Sequence, residues 1–182
     1  MHLNQIYTCK KYARAFYHTV HSKIDAQQVI NIKNLILFLT KDSTFLQCLQ
    51  LDFIDHNIKK DFTDKLINKY QLINNFEKLL ILLAHNRSIF LFPQILKQIL
   101  EIYNINNNII EFNIVSSNKL NDIQLLQLKT FLYKHTQKNI IYNLSIDKSL
   151  IAGIKIYSET LGWEHSIRKQ LNTLRNAYKE NL

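Results

Sequence analysis

The chain has 182 residues, 47% of them hydrophobic and 11% aromatic, with a formal net charge of +9. That much apolar side chain excludes an intrinsically disordered segment and can build a sizeable core. No run approaches the ~18 consecutive apolar residues that mark a membrane span, and the opening MHLNQIYTCKKYARAF lacks the apolar stretch and cleavage site of a secretory signal.

The charge is spread rather than concentrated. Residues 1–105 hold 13 basic and 8 acidic side chains and residues 106–182 hold 10 and 6, with no basic run longer than two. A nucleic-acid binder gathers its cations into a patch or stripe. Ile, Asn and Lys, the residues of AT-rich codons, make up over a third of the chain, so the basicity has a compositional source. Cys9 and Cys48 belong to no CxxC pair and read as small buried hydrophobes.

Up to about residue 105 the apolar pattern has a helical period. Ala13, Phe16, Tyr17 and Val20 recur at i, i+3, i+4 and i+7 in a first helix from Tyr7 to Val20. Asp25 is placed to cap a second helix running to about Thr40, with Val29, Ile32, Ile36 and Leu39 on one stripe. Ser43 or Thr44 caps a short third helix through Phe45 and Leu49. A fourth, from Asp55 to Tyr70, carries Ile58, Phe62, Leu66 and Ile67; a fifth, from Ile73 to His85, carries Phe76, Leu80 and Leu83. The sixth spans Ile89 to Tyr103 and tolerates Pro93 in its first turn. Six helices with short connections predict a bundle.

NINNN (104–108) is a polar break, after which the period changes. IIEFNIV alternates, with Ile110, Phe112 and Ile114 on one face, and predicts a strand. Asn121 or Asp122 caps a helix carrying Ile123, Leu125, Leu126, Leu128, Phe131 and Leu132. NIIYNLSI alternates through Ile140, Tyr142, Leu144 and Ile146, AGIKIYS forms a third strand, and residues 166–182 return to helical period with Ile167, Leu171, Leu174 and Tyr178. The expected class is therefore α+β: a six-helix bundle over 1–105, then a small α/β domain over 106–182 that ends in a helix.

The sequence shows no P-loop, GxGxxG or HExxH, and no nucleophile beside a base. His18 and His21 lie i, i+3 without two further ligands of suitable type, and Asp61 and Asp64 stand among Lys60 and Lys65. The expectation is a binding or structural protein with no catalytic residue, metal or cofactor. The informative anomaly is that two helices are apolar on two faces. In the fifth, Leu79, Leu82 and Asn86 form a second stripe; in the first, Tyr12, Ala15 and Thr19 do. Such a helix is central in its bundle or lends one face to a partner, and an amphipathic helix would suit a groove of this kind.

These stretches also resemble the delta subunit of bacterial ATP synthase, which is similar to the mitochondrial oligomycin-sensitivity-conferring protein. YARAFY (12–17) resembles the family's Tyr-Ala-x-Ala helix, and NFEKLLILLAHNRSIFLFPQILKQILEIYN (75–104) its Leu-rich fifth helix, Asn–Arg turn and sixth helix. VSSNKLND (115–122) is similar to its approach to the C-terminal domain. IDKSLIAGIKIY (146–157) and HSIRKQLNTL (165–174) resemble its closing signatures. The chain departs from the pattern at Ala152, where a second glycine is usual. It departs again at Ser158-Glu159-Thr160 and at Glu164-His165-Ser166, so the last hairpin and the entry to the final helix are expected to differ in shape, and Lys169-Gln170 stand where Gly-Arg is usual.

The resemblance implies a non-catalytic peripheral-stalk (stator) subunit, which ties the catalytic head to the b-type stalk subunits so that rotation is coupled to ATP synthesis. It implies that the N-terminal helix of an alpha subunit lies between the first and fifth helices, against Tyr12, Ala15, Leu79, Leu82, Leu83 and Asn86. It further implies that the C-terminal domain grips the b-type subunits through Leu171 and Leu174, with Gly153, Asp147, Ser149 and Arg168 as structural residues. Met1 stands eleven residues before the Tyr-Ala motif, so the expected location is the cytoplasmic face of a bacterial inner membrane, peripheral to it. The alternative is an organelle-encoded protein at a mitochondrial inner membrane or plastid thylakoid. The alternatives in function are a basic helical nucleic-acid-binding protein and an unrelated helix-binding adaptor. Glycine is scarce here, two in the whole chain, and Gly153 is expected to let its strand press against the domain's helix.

Overall fold

The computed structural model describes residues 3–42, 44–51 and 54–180. The chain divides into two compact units, residues 1–103 and 104–182.

The first unit is helical: α1 (Leu3–Val20), α2 (Ala26–Lys41), α3 (Thr44–Gln50), α4 (His56–Lys69), α5 (Asn75–His85) and α6 (Phe92–Asn106), the last preceded by a 3-10 turn, Ile89–Leu91. Local chemistry sets the starts. The Asp25 carboxylate accepts the Gln28 N–H at 2.8 Å, and Asp55 accepts that of Asn57 at 3.4 Å. Before α3 the acceptor is Asp42, which takes the Thr44 N–H at 2.9 Å and also the Thr44 hydroxyl. These bonds from Thr44 hold the Asp42 carboxyl below the usual carboxylate range. Of the two caps expected there, Thr44 is the first helical residue and Ser43 lies outside the described residues.

Each helix buries one stripe. Ile32 and Leu35 of α2, Leu80 and Leu83 of α5, and Ile95 and Ile99 of α6 are almost wholly inside, and the rings of Phe16 and Phe76 meet at 4.6 Å. On α4 the inner face differs from the expected one. Ile58 and Phe62 are exposed, while Thr63, Leu66 and Ile67 are buried. Thr63 can occupy the interior because its hydroxyl donates to the Lys60 carbonyl at 2.7 Å, which leaves no unpaired polar group. Cys9 is buried, which pushes its thiol pKa up, and Cys48 is half-buried.

The second unit is a mixed sheet with one packed helix: β1 (Ile109–Ser116), α7 (Asp122–Thr136), β2 (Asn139–Ile146), a 3-10 turn (Lys148–Leu150), β3 (Gly153–Tyr157), β4 (Gly162–Ser166) and α8 (Ile167–Glu180). The strand order is β2-β1-β3-β4. β1 and β2 run parallel, from Ile109 opposite Asn139 to Ser116 opposite Ile146; β3 is antiparallel to β1 and to β4. Asn121 and Gln124 form a reciprocal capping box at the start of α7. Leu128 and Leu132 press on Phe112, Ile114 and Ile156.

Three expectations change here. Ile123, Leu126 and Phe131 of α7 are exposed, because a helix on one face of a sheet buries one stripe and α7 carries more apolar residues than one stripe holds. Leu144 and Ile146 of β2 are exposed while Ile140 and Tyr142 pack on the core, since β2 is the sheet's edge. A fourth strand, β4, appears in GWEHS, whose side chains do not alternate between apolar and polar.

Gly153 explains β4. Its φ is +100°, and a Cβ built there would lie 2.0 Å from the His165 carbonyl oxygen and 2.9 Å from the Ser166 Cα. The close approach is therefore to the main chain of β4, not to the helix as expected. Any side chain would have to adopt a disfavoured backbone region and push the β3–β4 ladder apart. Gly153→Ala is expected to cost about 3 kcal/mol. The check is urea unfolding followed by the fluorescence of Trp163, the one tryptophan, which reports on this unit; an unchanged midpoint would show that the strand pair can yield.

Candidate partner-binding surfaces

Two surfaces combine exposed apolar side chains with fixed polar groups. The first is the seam between α1 and α5. The Asn86 amide donates to the Tyr12 hydroxyl at 2.9 Å, joining residues 74 apart in sequence. Asn86 is held by the way α5 ends. Arg87 takes a left-handed φ of 51°, and the Ser88 N–H closes on the Leu83 carbonyl at 2.8 Å, a Schellman-type finish. The Ser88 hydroxyl then donates to the Asn86 carbonyl at 2.9 Å.

Along this seam the expected residues separate into two groups. Leu82 is 48% exposed, Ala15 and Asn86 are exposed, and Tyr12 is half-buried against the core. Leu79, 5% exposed, and Leu83, fully buried, are core residues, which corrects the expectation that they face a partner. The reason is angular. At 100° per residue Leu79 and Leu83 share the row that faces the bundle, and Leu82 and Asn86 share the next row round.

The second surface lies in the sheet-containing unit. A groove of about 690 Å³ runs between α7, the β3–β4 pair and the start of α8. Leu128 and Phe131 form one wall, Ile156 and Trp163 the floor, and Lys169 stands at one end. Phe131 meets the edge of Trp163 at 5.8 Å, and Phe112 packs on the same ring at 5.9 Å. An adjoining hollow of about 430 Å³ shares Glu164, His165 and Lys169 and extends to Leu174. On α8 the stripe of Ile167, Leu171, Leu174 and Tyr178 is exposed throughout. Periodicity identified that stripe and placed Phe131 on α7, but it missed Trp163, which depends on a strand it did not detect. The one usable signal was that the chain's single tryptophan sits beside a glycine.

The four structural residues adjoin one another at this end of the sheet. The Ser149 N–H donates to the Asp147 carboxylate at 2.8 Å, and the Arg168 guanidinium donates to the Ser149 hydroxyl at 2.7 Å, linking the 3-10 turn to the first turn of α8. Gly153 lies across from Ser166. Ser166 caps α8, accepting the Lys169 N–H at 3.1 Å while its hydroxyl donates to Glu164 at 2.8 Å. Hydrogen bonds from Ser149, followed by the charges of Arg168 and Lys155, hold the Asp147 carboxyl below its ordinary range. A carboxylate depressed in the folded state stabilises it above the ordinary value, and that contribution is lost as pH falls through the depressed one. Titration of Asp147 by NMR should therefore end below that of an unstructured aspartate, and Ser149→Ala should move it upward. No upward movement would mean that these bonds do not govern it.

Comparison with known proteins agrees with this architecture. A sequence model of the ATP synthase delta (OSCP) subunit matches residues 9–178. The ATP synthase subunit delta of Roseobacter denitrificans is 35% identical over 101 residues, covering 56% of this chain and 54% of that protein, little more than half its length. That of Wigglesworthia glossinidia brevipalpis is 30% identical over 140 residues, 77% of this chain and 73% of the relative. Among solved structures, a chain of the Toxoplasma gondii mitochondrial ATP synthase hexamer superposes with a TM-score of 0.68 at 16% identity, covering 98% of both chains. With a match over almost its whole length, a helical unit followed by a four-stranded unit, and its motifs in the same order, the chain belongs to the ATP synthase delta (OSCP) subunit family.

Proposed function

We propose that this chain is the non-catalytic peripheral-stalk subunit of an ATP synthase, holding the catalytic head to the b-type stalk subunits so that the head does not turn with the rotor. In this reading the first unit takes the N-terminal helix of an alpha subunit in the α1/α5 seam. The second unit grips the b-type subunits with the α8 stripe and the groove beside it. Association with the membrane is then peripheral and runs through the complex, at the cytoplasmic face in a bacterium. No helix among the described residues is long and apolar enough to cross a membrane.

The observation that carries the reading is the seam itself. The bonded pair of Tyr12 and Asn86 fixes a polar edge beside Leu82, an exposed leucine on a helix whose other leucines are mostly buried. An amphipathic helix fits such an edge, with apolar side chains over Leu82 and Ala15 and a hydrogen-bonding rim. A tether also needs slow dissociation rather than turnover, which an apolar contact supplies. Two modest contacts, one on each unit, would reinforce each other through effective concentration.

The test is binding of the full chain to a synthetic peptide of the N-terminal helix of its own alpha subunit. Leu82→Asp should weaken binding by about thirtyfold or more, as expected when a central apolar anchor becomes a charge. Binding by the unaltered chain should change little with salt. Loss of binding with salt, together with indifference to Leu82, would favour the basic surface as the active feature and overturn the reading.

A further inference from the structure

β2 is the edge of the four-stranded sheet: its strand neighbour is β1, and among the described residues no strand lies on its other side. The direction of its open hydrogen-bonding groups follows from the register. The Asn139 N–H donates to the Asn108 carbonyl at 2.8 Å and the Asp147 N–H to that of Ser116 at 2.9 Å, so the odd-numbered residues turn their main-chain groups toward β1. Alternate residues of a strand turn theirs the other way. Ile140, Tyr142, Leu144 and Ile146 therefore present N–H and C=O groups along the outer edge.

Folded proteins blunt such edges with charge, proline, a bulge or shortness. The opposite edge is blunted: β4 is five residues long, contains Glu164 and His165, and leads directly into α8. β2 has none of these protections. It is eight residues long, pairs with β1 in continuous register, and its sequence NIIYNLSI contains no charged residue, proline or glycine. It also carries apolar side chains that the unit leaves open, with Ile141 43% exposed, Leu144 50% and Ile146 59%. An added strand would pair the main-chain groups and cover these side chains together.

Charge selects the occupant. From the start of α7 to the turn after β2, Lys129, Lys134, Lys138 and Lys148 stand against two acids, Asp122 and Asp147. The Asp147 carboxylate already accepts the Ser149 N–H. The Lys129 ammonium lies 5.0 Å over the Tyr142 ring, on β2 itself. On the neighbouring β1, the Glu111 carboxylate accepts from the Asn143 amide at 2.9 Å. A second copy would bring two lysine-flanked edges together on chains that each carry +9, so self-pairing is opposed. We propose that the β2 edge takes up an extended acidic segment of a partner protein as a fifth strand, a surface additional to the α1/α5 seam and the groove beside α8. Its main chain pairs with Tyr142, Leu144 and Ile146, its apolar side chains cover Leu144 and Ile146, and its carboxylates meet Lys129 and Lys138.

The test uses the full chain and a capped synthetic peptide of alternating valine and glutamate, beside the same peptide with lysine for glutamate. Leu144→Pro removes an outward N–H without touching the ladder to β1, a place where edge strands tolerate proline. Leu144→Thr keeps the N–H and removes the apolar side chain. The expected result is that the acidic peptide binds, the lysine peptide does not, and amide exchange slows at Tyr142, Leu144 and Ile146. Leu144→Pro should weaken binding by about tenfold or more, and Leu144→Thr by less. The proposal is overturned by no binding of the acidic peptide, by equal binding of the lysine peptide, or by equal losses in both variants. Concentration-dependent dimers that protect the same amides without peptide would also overturn it. If circular dichroism and Trp163 emission show Leu144→Pro unfolded, the exchange pattern of the unaltered chain decides. Slowing confined to alternate residues supports strand addition; uniform slowing or none overturns it.

Discussion

The sheet-containing unit depends on a contact that involves no side chain on β3: the main chain of Gly153, at a φ of +100°, lies against the carbonyl of His165. With that approach β4 can pair with β3, and Trp163 comes to the floor of the groove and Ser166 to the cap of α8. From the same end, Arg168 reaches back to Ser149 and ties the helix to the turn before β3. The direction of α8, and so of its exposed apolar stripe, follows from a strand pair that would not close around a Cβ.

The helical unit turns on a different constraint, the number of rows that one helix can bury. α5 places Phe76, Leu79, Leu80 and Leu83 inside, and these fill the side available to the bundle. Leu82 and Asn86 lie on the row left over, where the turn at Arg87 and Ser88 holds Asn86 within reach of Tyr12 on α1. An exposed leucine alone is common on protein surfaces. Beside a hydrogen bond between two helices it becomes part of a shaped edge. This combination connects the packing of the bundle to its proposed role in holding a helix.

The two edges of the sheet are treated differently. β4 is short, polar and followed at once by a helix, whereas β2 is long and uncharged and leaves Ile141, Leu144 and Ile146 exposed. Aggregation would be the ordinary consequence of such an edge. The lysines around β2 make pairing between like-charged copies unfavourable while leaving the edge open to an acidic strand. The same charge that looked compositional across the whole chain thus acquires a local meaning next to one strand.

The amino-acid pattern by itself determined the number and order of the helices, the change from helical to alternating period after about residue 105, three of the strands, and the caps at Asp25 and Asn121. All of these are decided by neighbours within a few residues. It also marked α1 and α5 as too apolar for one face, because periodicity counts rows even when it does not say which row is inside. Only the tertiary structure decided the rest. It placed Leu79 and Leu83 in the core and Leu82 on the surface, put Thr63 inside in place of Phe62, and made β2 an edge with Leu144 and Ile146 uncovered. It also paired GWEHS with β3, although that stretch has no alternation of its own. In each case what matters is which surface another element covers, and such contacts join residues far apart in the chain, where no local period records them.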